Sequence, residues 1–372
     1  MELECFASNE EVVGSNPTTR TKFLSCFCKE NIVEYSSMLA TQPQRETMFS
    51  KKLQESLDKI QKKFGEESIM RYGDTPQSDI EVLPTGIPSL DVALGIGGLP
   101  KGRMVEIAGP EASGKTTCAL HIVAEAQKNG GVVAFVDAEH ALDPHYAESL
   151  GVDMDNILIS QPDSGEIGLE IVEQLVRSEE VTLIIVDSVA ALTTQAELNG
   201  EMSDSSVAGI PRLLSKALRK LVGITSKSNC TVVFINQMRA NIGGYGNAPT
   251  EITTGGKALR YYTSIRLDIR RIGAVKGSGE NVVGQKTRIK VIKNKLAAPH
   301  KEVEVDLIYG EGFSKESDLL DIAIEKGVIV KKGGWFAYEG KNLAQGRENA
   351  RIALKDATLY NEVYDKVNAG LV

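Results

Sequence analysis

The sequence predicts an α/β protein whose mostly parallel central sheet carries a phosphate-binding loop. Two observations predict it. Residues 109–116 read GPEASGKT, which fits the phosphate-loop pattern G-x-x-x-x-G-K-[ST]. After this stretch, short continuous apolar runs alternate with helix-period segments, as in a parallel sheet buried on both faces. The chain of 372 residues is long enough for one large core and one or two small appendages.

Composition sets the outer bounds. A hydrophobic fraction of 42 % and a charged fraction of 25 % are ordinary for a soluble globular protein. The sequence has no apolar run long enough to span a membrane, so no membrane partner is expected. Five scattered cysteines are an odd set, which suits a reducing compartment and not a disulfide framework. Cys26 and Cys28 have no second pair or nearby histidine to complete a metal site. The net charge of −8 argues against nucleic acid. Yet residues 257–301 hold twelve Lys or Arg against Asp268 and Glu280. That stretch reads equally as a solvated sheet face or as a phosphate-facing surface.

Residues 1–47 lack periodicity and hold Cys5, Cys26 and Cys28. They are too acidic for a transit peptide and have no apolar signal region. Gly14-Ser15-Asn16-Pro17 is what a transfer-RNA T-arm sequence would encode if translated. The expectation is an unfolded leader read through from an upstream gene, a start at Met48 or Met38, and a bacterial source. From Met48, Leu53, Leu57, Ile60 and Phe64 form one stripe of an amphipathic helix that Gly65 ends. The stripe could pack on this chain's own core or on a neighbouring subunit.

Residues 103–108 read as a strand running into the phosphate loop, and 117–128 as the helix leaving it. The glycines let the backbone wrap a phosphate, and the amides and helix N-terminus face the anion. Lys115 is expected to reach the β- and γ-phosphates, and the Thr116 hydroxyl to bind Mg²⁺. Strands follow at 132–138, 181–186 and 231–235, with helices at 168–177 and 210–226. Glu139, Asp187 and Gln237 each lie just past a strand's carboxyl end, the edge where open α/β sheets bind ligands. Asp187, after an apolar run, reads as a Walker-B acid holding Mg²⁺, or else as a helix N-cap. Glu139 reads as a general base for an attacking water, or else as a turn carboxylate. The Gln237 amide could sense the γ-phosphate and pass its presence into the glycine-rich segment 238–256. A second glycine- and serine-bearing segment spans 197–209.

Here the residues resemble a family. The stretches 109–117 (GPEASGKTT), 136–143 (VDAEHALD), 186–192 (VDSVAAL), 234–237 (FINQ), 266–275 (RLDIRRIGAV) and 293–295 (KNK) are similar to the bacterial RecA recombinases. The likeness runs from about Phe49 to near the C-terminus. It implies a RecA-type phosphate-loop ATPase core at 81–309, an N-terminal helical polymerisation arm at 48–80 and a small α+β C-terminal domain at 310–372. It implies an ATP-dependent, cytoplasmic recombinase that forms helical filaments on single-stranded DNA. Such a recombinase pairs and exchanges strands with double-stranded DNA and stimulates self-cleavage of the SOS repressor. By the same resemblance Gly109, Pro110, Glu111, Ala112, Ser113, Gly114, Lys115, Thr116 and Thr117 cradle the phosphates of ATP and its Mg²⁺. Asp143 and Tyr146 bracket the adenine, and Gln237 couples the γ-phosphate to DNA affinity. Segments 197–209 and 238–256 are the two DNA-binding loops. Arg212, Arg219, Arg239 and Tyr245 are implied DNA contacts, and Lys293 and Lys295 the pair that reaches the neighbouring subunit's ATP.

The sequence departs from the family in places. Gly209 and Pro211 stand where the family has helix formers, which leaves the local geometry open. The acidic tail common in the family does not follow Val372, so any restraint by it on DNA binding is expected to be missing. A helicase or repair ATPase on the same core, and a non-hydrolysing ATP switch, are the rival readings. A dinucleotide oxidoreductase is excluded, since no G-x-G-x-x-G opens a helix.

Overall fold

A computed structural model describes residues 49–65, 68–69, 80–201, 208–240, 251–276 and 281–369. The expected leader 1–47, Met48 and Tyr245 lie outside the described residues. Two units divide the chain, 1–77 and 78–372. In the first, α1 spans Lys51–Phe64, with Ser50 as its N-cap accepting from the Leu53 amide and Gly65 at its end. The stripe that predicted this helix is real, yet none of its residues is buried.

The second unit begins with β1 (Val82–Leu83), α2 (Pro88–Leu94), β2 (Leu99–Pro100) and β3 (Met104–Gly109). The phosphate loop leads into α3 (Lys115–Lys128), which starts two residues earlier than its apolar period suggests. Then come β4 (Val132–Asp137), α4 (Pro144–Ser149), β5 (Ile157–Ser160), α5 (Gly165–Arg177) and β6 (Val181–Asp187). Ser164 caps α5 by accepting from the Ile167 amide. α6 (Gln195–Asn199) is closed by a Thr194–Glu197 capping box, so the start of the expected first loop is helical. α7 (Gly209–Ser228) follows, with Pro211 in its first turn, where a missing N–H costs nothing. That answers the geometry Gly209 and Pro211 had left open.

β7 (Thr231–Ala240) runs five residues beyond its apolar core and pairs antiparallel with β8 (Glu251–Thr253). The base of the expected second loop is therefore a two-stranded ladder. α8 (Ala258–Tyr262), β9 (Ile265–Lys276), β10 (Val282–Asn294), β11 (Glu302–Ile308) and β12 (Gly312–Phe313) complete the sheet. The remaining elements are α9 (Lys315–Glu325), β13 (Ile329–Lys332), β14 (Trp335–Tyr338), β15 (Lys341–Gln345), α10 (Arg347–Ala353) and α11 (Ala357–Asn368).

The large sheet has the order β12-β11-β10-β9-β3-β7-β6-β4-β5. From β9 to β5 every pairing is parallel, and β10 to β12 add an antiparallel flank. One apolar cluster packs α2 and α3 on one face, and a second packs α5 and α7 on the other. Burial on both faces explains the unbroken apolar runs of β4, β6 and β7. Truncating fully buried Ile184 to Ala is expected to cost about 2–5 kcal/mol. A third cluster, from Leu319 to Val367, is the core of the C-terminal hairpin and helices. Among the described residues, no helix is long and apolar enough to cross a membrane.

Candidate nucleotide site

The site lies at the carboxyl edge of β3, β4, β6 and β7, where four strand ends converge. β3 sits between β7 and β9, so the loop after Gly109 emerges at the centre of the sheet. Gly109 passes so close to β9 that a Cβ there would fall 2.2 Å from the Ile269 carbonyl oxygen. Gly114, at φ 95°, turns the chain into α3 against Leu307 and Phe313. The N-terminus of this 14-residue helix thereby faces the loop, ready for an anion.

Lys115 is buried, and its Nζ donates to the Pro110 carbonyl at 2.7 Å. Burial lowers its pKa, and the carboxylates of Asp187, Glu139 and Glu111 oppose that shift. A phosphate would take up this charge directly. Thr116 Oγ1 donates to Asp187 Oδ2 at 2.7 Å. Burial pushes the Asp187 carboxyl up to about 6; the Thr116 hydrogen bond lowers it, and Glu139 and Asp137 raise it further. A buried carboxylate beside a hydroxyl, with two further acids near it, favours a divalent cation, so Thr116 and Asp187 fit Mg²⁺.

Glu139 follows β4 in a turn built by Asp137. The buried Asp137 carboxylate accepts from the Ala141 and Leu142 amides at 3.2 and 3.3 Å and from Gln161 Nε2 at 3.1 Å. Ala138 and Glu139 donate their amides to the Asp187 carbonyl. The carboxylate of Glu139 is then held from two sides. Ser188 Oγ and Gln237 Nε2 both donate to its Oε1, the latter at 2.8 Å. Both of these donors take Oε1, which leaves Oε2 on the other side of the carboxylate. The sequence pattern alone does not mark Asp137 and Ser188 as site residues. The signal was their position beside Asp187 and Glu139 at the same strand ends.

A cleft of about 370 Å³ opens beside the loop, lined among others by Thr116, Thr117, Tyr146, Arg271, Gln285 and Tyr309. Tyr146 hydrogen-bonds Thr117 through its hydroxyl at 3.1 Å. Asp143 accepts from the His145 and Tyr146 amides as the N-cap of α4, so it orients Tyr146. Gln285 donates to the Ala112 carbonyl at 3.2 Å and steadies the loop from β10. Tyr309 is a second aromatic on this cleft, invisible in the sequence because it arrives from β11's far end. Ring and loop together fit a nucleotide.

The remaining predicted residues lie elsewhere. Arg212 and Arg219 are exposed on α7, seven residues and two turns apart, hence on one face. Arg239 is exposed on β7 opposite Ile252 of the ladder. Lys293 faces Arg266 in the β9–β10 register, and Arg266 faces Glu106 on β3. The lysines therefore sit toward the amino end of β3, roughly 10 Å along the strands from the phosphate loop and two strand spacings to the side. Lys293 Nζ donates to the carbonyls of Arg260, Tyr261 and Thr263, at 2.6, 3.3 and 2.7 Å. Lys295 Nζ makes a longer bond, 3.4 Å, to the Tyr261 carbonyl. The structure does not bring either lysine to its own chain's phosphate loop.

A phosphate-loop sequence leading into a helix, a buried carboxylate bonded to Thr116 and a tethered carboxylate beside it, on a mostly parallel sheet, define the class: a phosphate-loop nucleotide-binding protein. Comparison with known proteins narrows it. Residues 51–314 match the RecA N-terminal domain family and residues 317–371 the RecA C-terminal domain family. The chain is 57 % identical over 320 residues to Protein RecA of Geobacter sulfurreducens, covering 85 % of this chain and 94 % of that one. It is 56 % identical over 327 residues to Protein RecA of Bartonella quintana, covering 87 % and 94 %. With Protein RecA of Mycobacteroides abscessus it shares 54 % over 334 residues, 90 % and 95 % of the two chains. The crystal structure of the RadB recombinase is similar at 24 % identity and a TM-score of 0.47, over 62 % of this chain and 98 % of that one. The chain belongs to the RecA family, the recombinases of DNA recombination and repair. Its enzyme class is a RecA-type ATPase.

Proposed function

We propose that this chain is a DNA-dependent ATPase. It assembles as a helical filament on single-stranded DNA, pairs that strand with homologous duplex and stimulates SOS repressor cleavage in the cytoplasm. The observation that carries the reading is the grip on Glu139. Its Oε1 is held by Ser188 and by Gln237, and Gln237 stands at the root of the second loop. One hydrogen bond thus joins the water-activating carboxylate to the segment proposed to bind DNA.

The roles follow from position. The backbone N–H groups of the loop 109–117 and Lys115 would hold the phosphate oxygens, Thr116 and Asp187 would hold Mg²⁺, and Tyr146, oriented by Asp143, would take the base. When bound, ATP and Mg²⁺ supply the phosphoryl group and the counter-charge. Glu139 accepts the proton of an in-line water through Oε2, with Oε1 fixed. Lys293 and Lys295 face away from their own loop, which supports their serving the next protomer's site. Arg212, Arg219, Arg239 and Tyr245 contact DNA. The arm 48–80 docks on the next protomer, 81–309 is the ATPase core, and 310–372 forms the small C-terminal domain.

Phosphate release measured with and without single-stranded DNA tests the activity. Glu139→Gln should abolish turnover but keep ATP binding and filaments. Lys293→Ala with Lys295→Ala should lose DNA-stimulated hydrolysis and regain it when mixed with Glu139→Gln protomers. An intact Glu139 site would then receive lysines from its neighbour. If co-filaments form and no mixing ratio restores hydrolysis, the lysines do not act in trans.

A further inference from the structure

The sheet contains a buried polar chain that the nucleotide site does not use. Thr254 Oγ1 donates to Asn236 Oδ1. Asn236 Nδ2 donates to the Thr254 carbonyl at 3.1 Å and to Glu106 Oε1 at 2.9 Å. Arg266 Nε donates to Glu106 Oε2. Glu106 and Asn236 are fully buried and Arg266 nearly so. A buried ion pair adds little stability over an apolar pair of similar volume, so its presence here calls for another role.

The two ends of this chain are informative. Thr254 follows β8 directly and closes the second loop, and its partner Asn236 precedes Gln237. Arg266 stands opposite Lys293 across the β9–β10 ladder. A second route also joins Thr254 to Lys293. It runs through Gly255 and Gly256 into α8, whose last carbonyls hold Lys293 Nζ. That route is tight, since a Cβ on Gly255 would fall 2.5 Å from Leu214 Cδ1 and 2.8 Å from Val189 Cγ1. Two continuous routes, one through the sheet core and one through α8, therefore lie between Thr254 and Lys293. The Lys293 amine is an uneasy tenant there. Burial, with Lys295 and Arg266 adding to it, pushes its pKa down to about 8.

We infer that Glu106 and Arg266 are positioning residues, through which the root of the second loop sets the seat of Lys293 and the reach of Lys295 toward the next protomer. This rests on the reading of the two lysines as acting in trans. DNA held by the loop would shift Thr254, the shift would pass along Asn236, Glu106 and Arg266, and Lys293 would leave the α8 carbonyls.

The test uses the full chain with Glu106→Gln. ATP binding and single-stranded DNA binding should persist, while DNA-stimulated phosphate release falls at least about tenfold. Mixing with Glu139→Gln protomers should restore it, because the variant's intact Glu139 site then receives lysines from a neighbour with Glu106 in place. Damage to the variant's own site or fold would not be restored by a neighbour. If Glu106→Gln fails to fold by circular dichroism, Asn236→Leu removes every link between Thr254 and Glu106, and the same loss and rescue are expected. Undiminished stimulation in the folded variant overturns the inference. So does a lack of rescue where Lys293→Ala with Lys295→Ala is rescued. Should that double variant also go unrescued, the trans reading fails and the inference falls with it.

Discussion

At the scale of single residues, the nucleotide site is organised by hydrogen bonds that fix which oxygen of each carboxylate is free. Asp137 accepts three donors to shape the turn that bears Glu139, and Asp187 spends one oxygen on Thr116. Glu139 spends Oε1 on Ser188 and Gln237. A hydrogen bond to a charged group contributes about 1.5–3 kcal/mol. Ser188→Ala should therefore lower kcat about tenfold or more while leaving the KM for ATP nearly unchanged, since Ser188 does not line the phosphate cradle. Steady-state kinetics would check it, and a raised KM with normal kcat would place Ser188 in binding instead. Glu139 and Asp187 were legible in the sequence because each ends an apolar run. Ser188 and Asp137 were not, because a strand end shows which residue comes next but not which neighbouring strand it faces.

Secondary-structure elements carry the links between sites. The β7–β8 ladder holds the second loop's ends together, so the loop can be removed without touching the sheet. Replacing residues 241–250 with a short glycine linker should abolish single-stranded DNA binding and leave ATP binding intact. Fluorescence anisotropy with labelled oligonucleotide and labelled nucleotide reads both, and unchanged DNA affinity would move the DNA site to the basic face of β9–β11. The arm helix α1 gives a second prediction. Its stripe includes Leu53 at 43 % and Phe64 at 67 % exposure, and none of its residues is buried. An apolar stripe of this kind needs a surface to cover it. Leu57→Asp should weaken self-assembly, seen as loss of filaments by electron microscopy, with nucleotide binding unchanged. A variant that polymerises normally would free the arm from that role.

Across the whole molecule, two buried carboxylates tie the C-terminal helices α9 and α11 to α2. Asp91 on α2 accepts from the Thr85 amide and hydroxyl at 2.9 and 2.7 Å and from the Tyr364 hydroxyl at 3.1 Å. Asp318 on α9 accepts from the Ser89 amide at 2.7 Å. Burial pushes both carboxyls up to about 7, against an ordinary 3.8. A folded pKa raised this way means the native state holds these protons more tightly than the unfolded chain does. The stabilisation is fully present below about pH 4 and is lost as pH rises through about 7. Asp318→Asn keeps a neutral acceptor there at every pH. Its thermal midpoint should gain on the wild type as pH goes from 5 to 8, and a constant offset across that range would show that Asp318 does not titrate in the folded protein.

The sequence by itself determined the class of fold, the phosphate loop and the two acids beside it. These depend on local spacing: apolar runs, a glycine-rich turn, a polar residue at each strand exit. It also showed the amphipathic helix that Gly65 ends, because helix period and a terminal glycine are local too. Only the tertiary structure decided what each polar group touches. The Thr254–Asn236–Glu106–Arg266 chain joins residues up to 160 positions apart, and the lysines at 293 and 295 turn to α8 and not to their own phosphate loop. Tyr309 reaches the cleft from a strand far along the chain. Contacts of that kind are set by which strands lie side by side, and strand order is a property of the packed sheet that no local window of sequence contains.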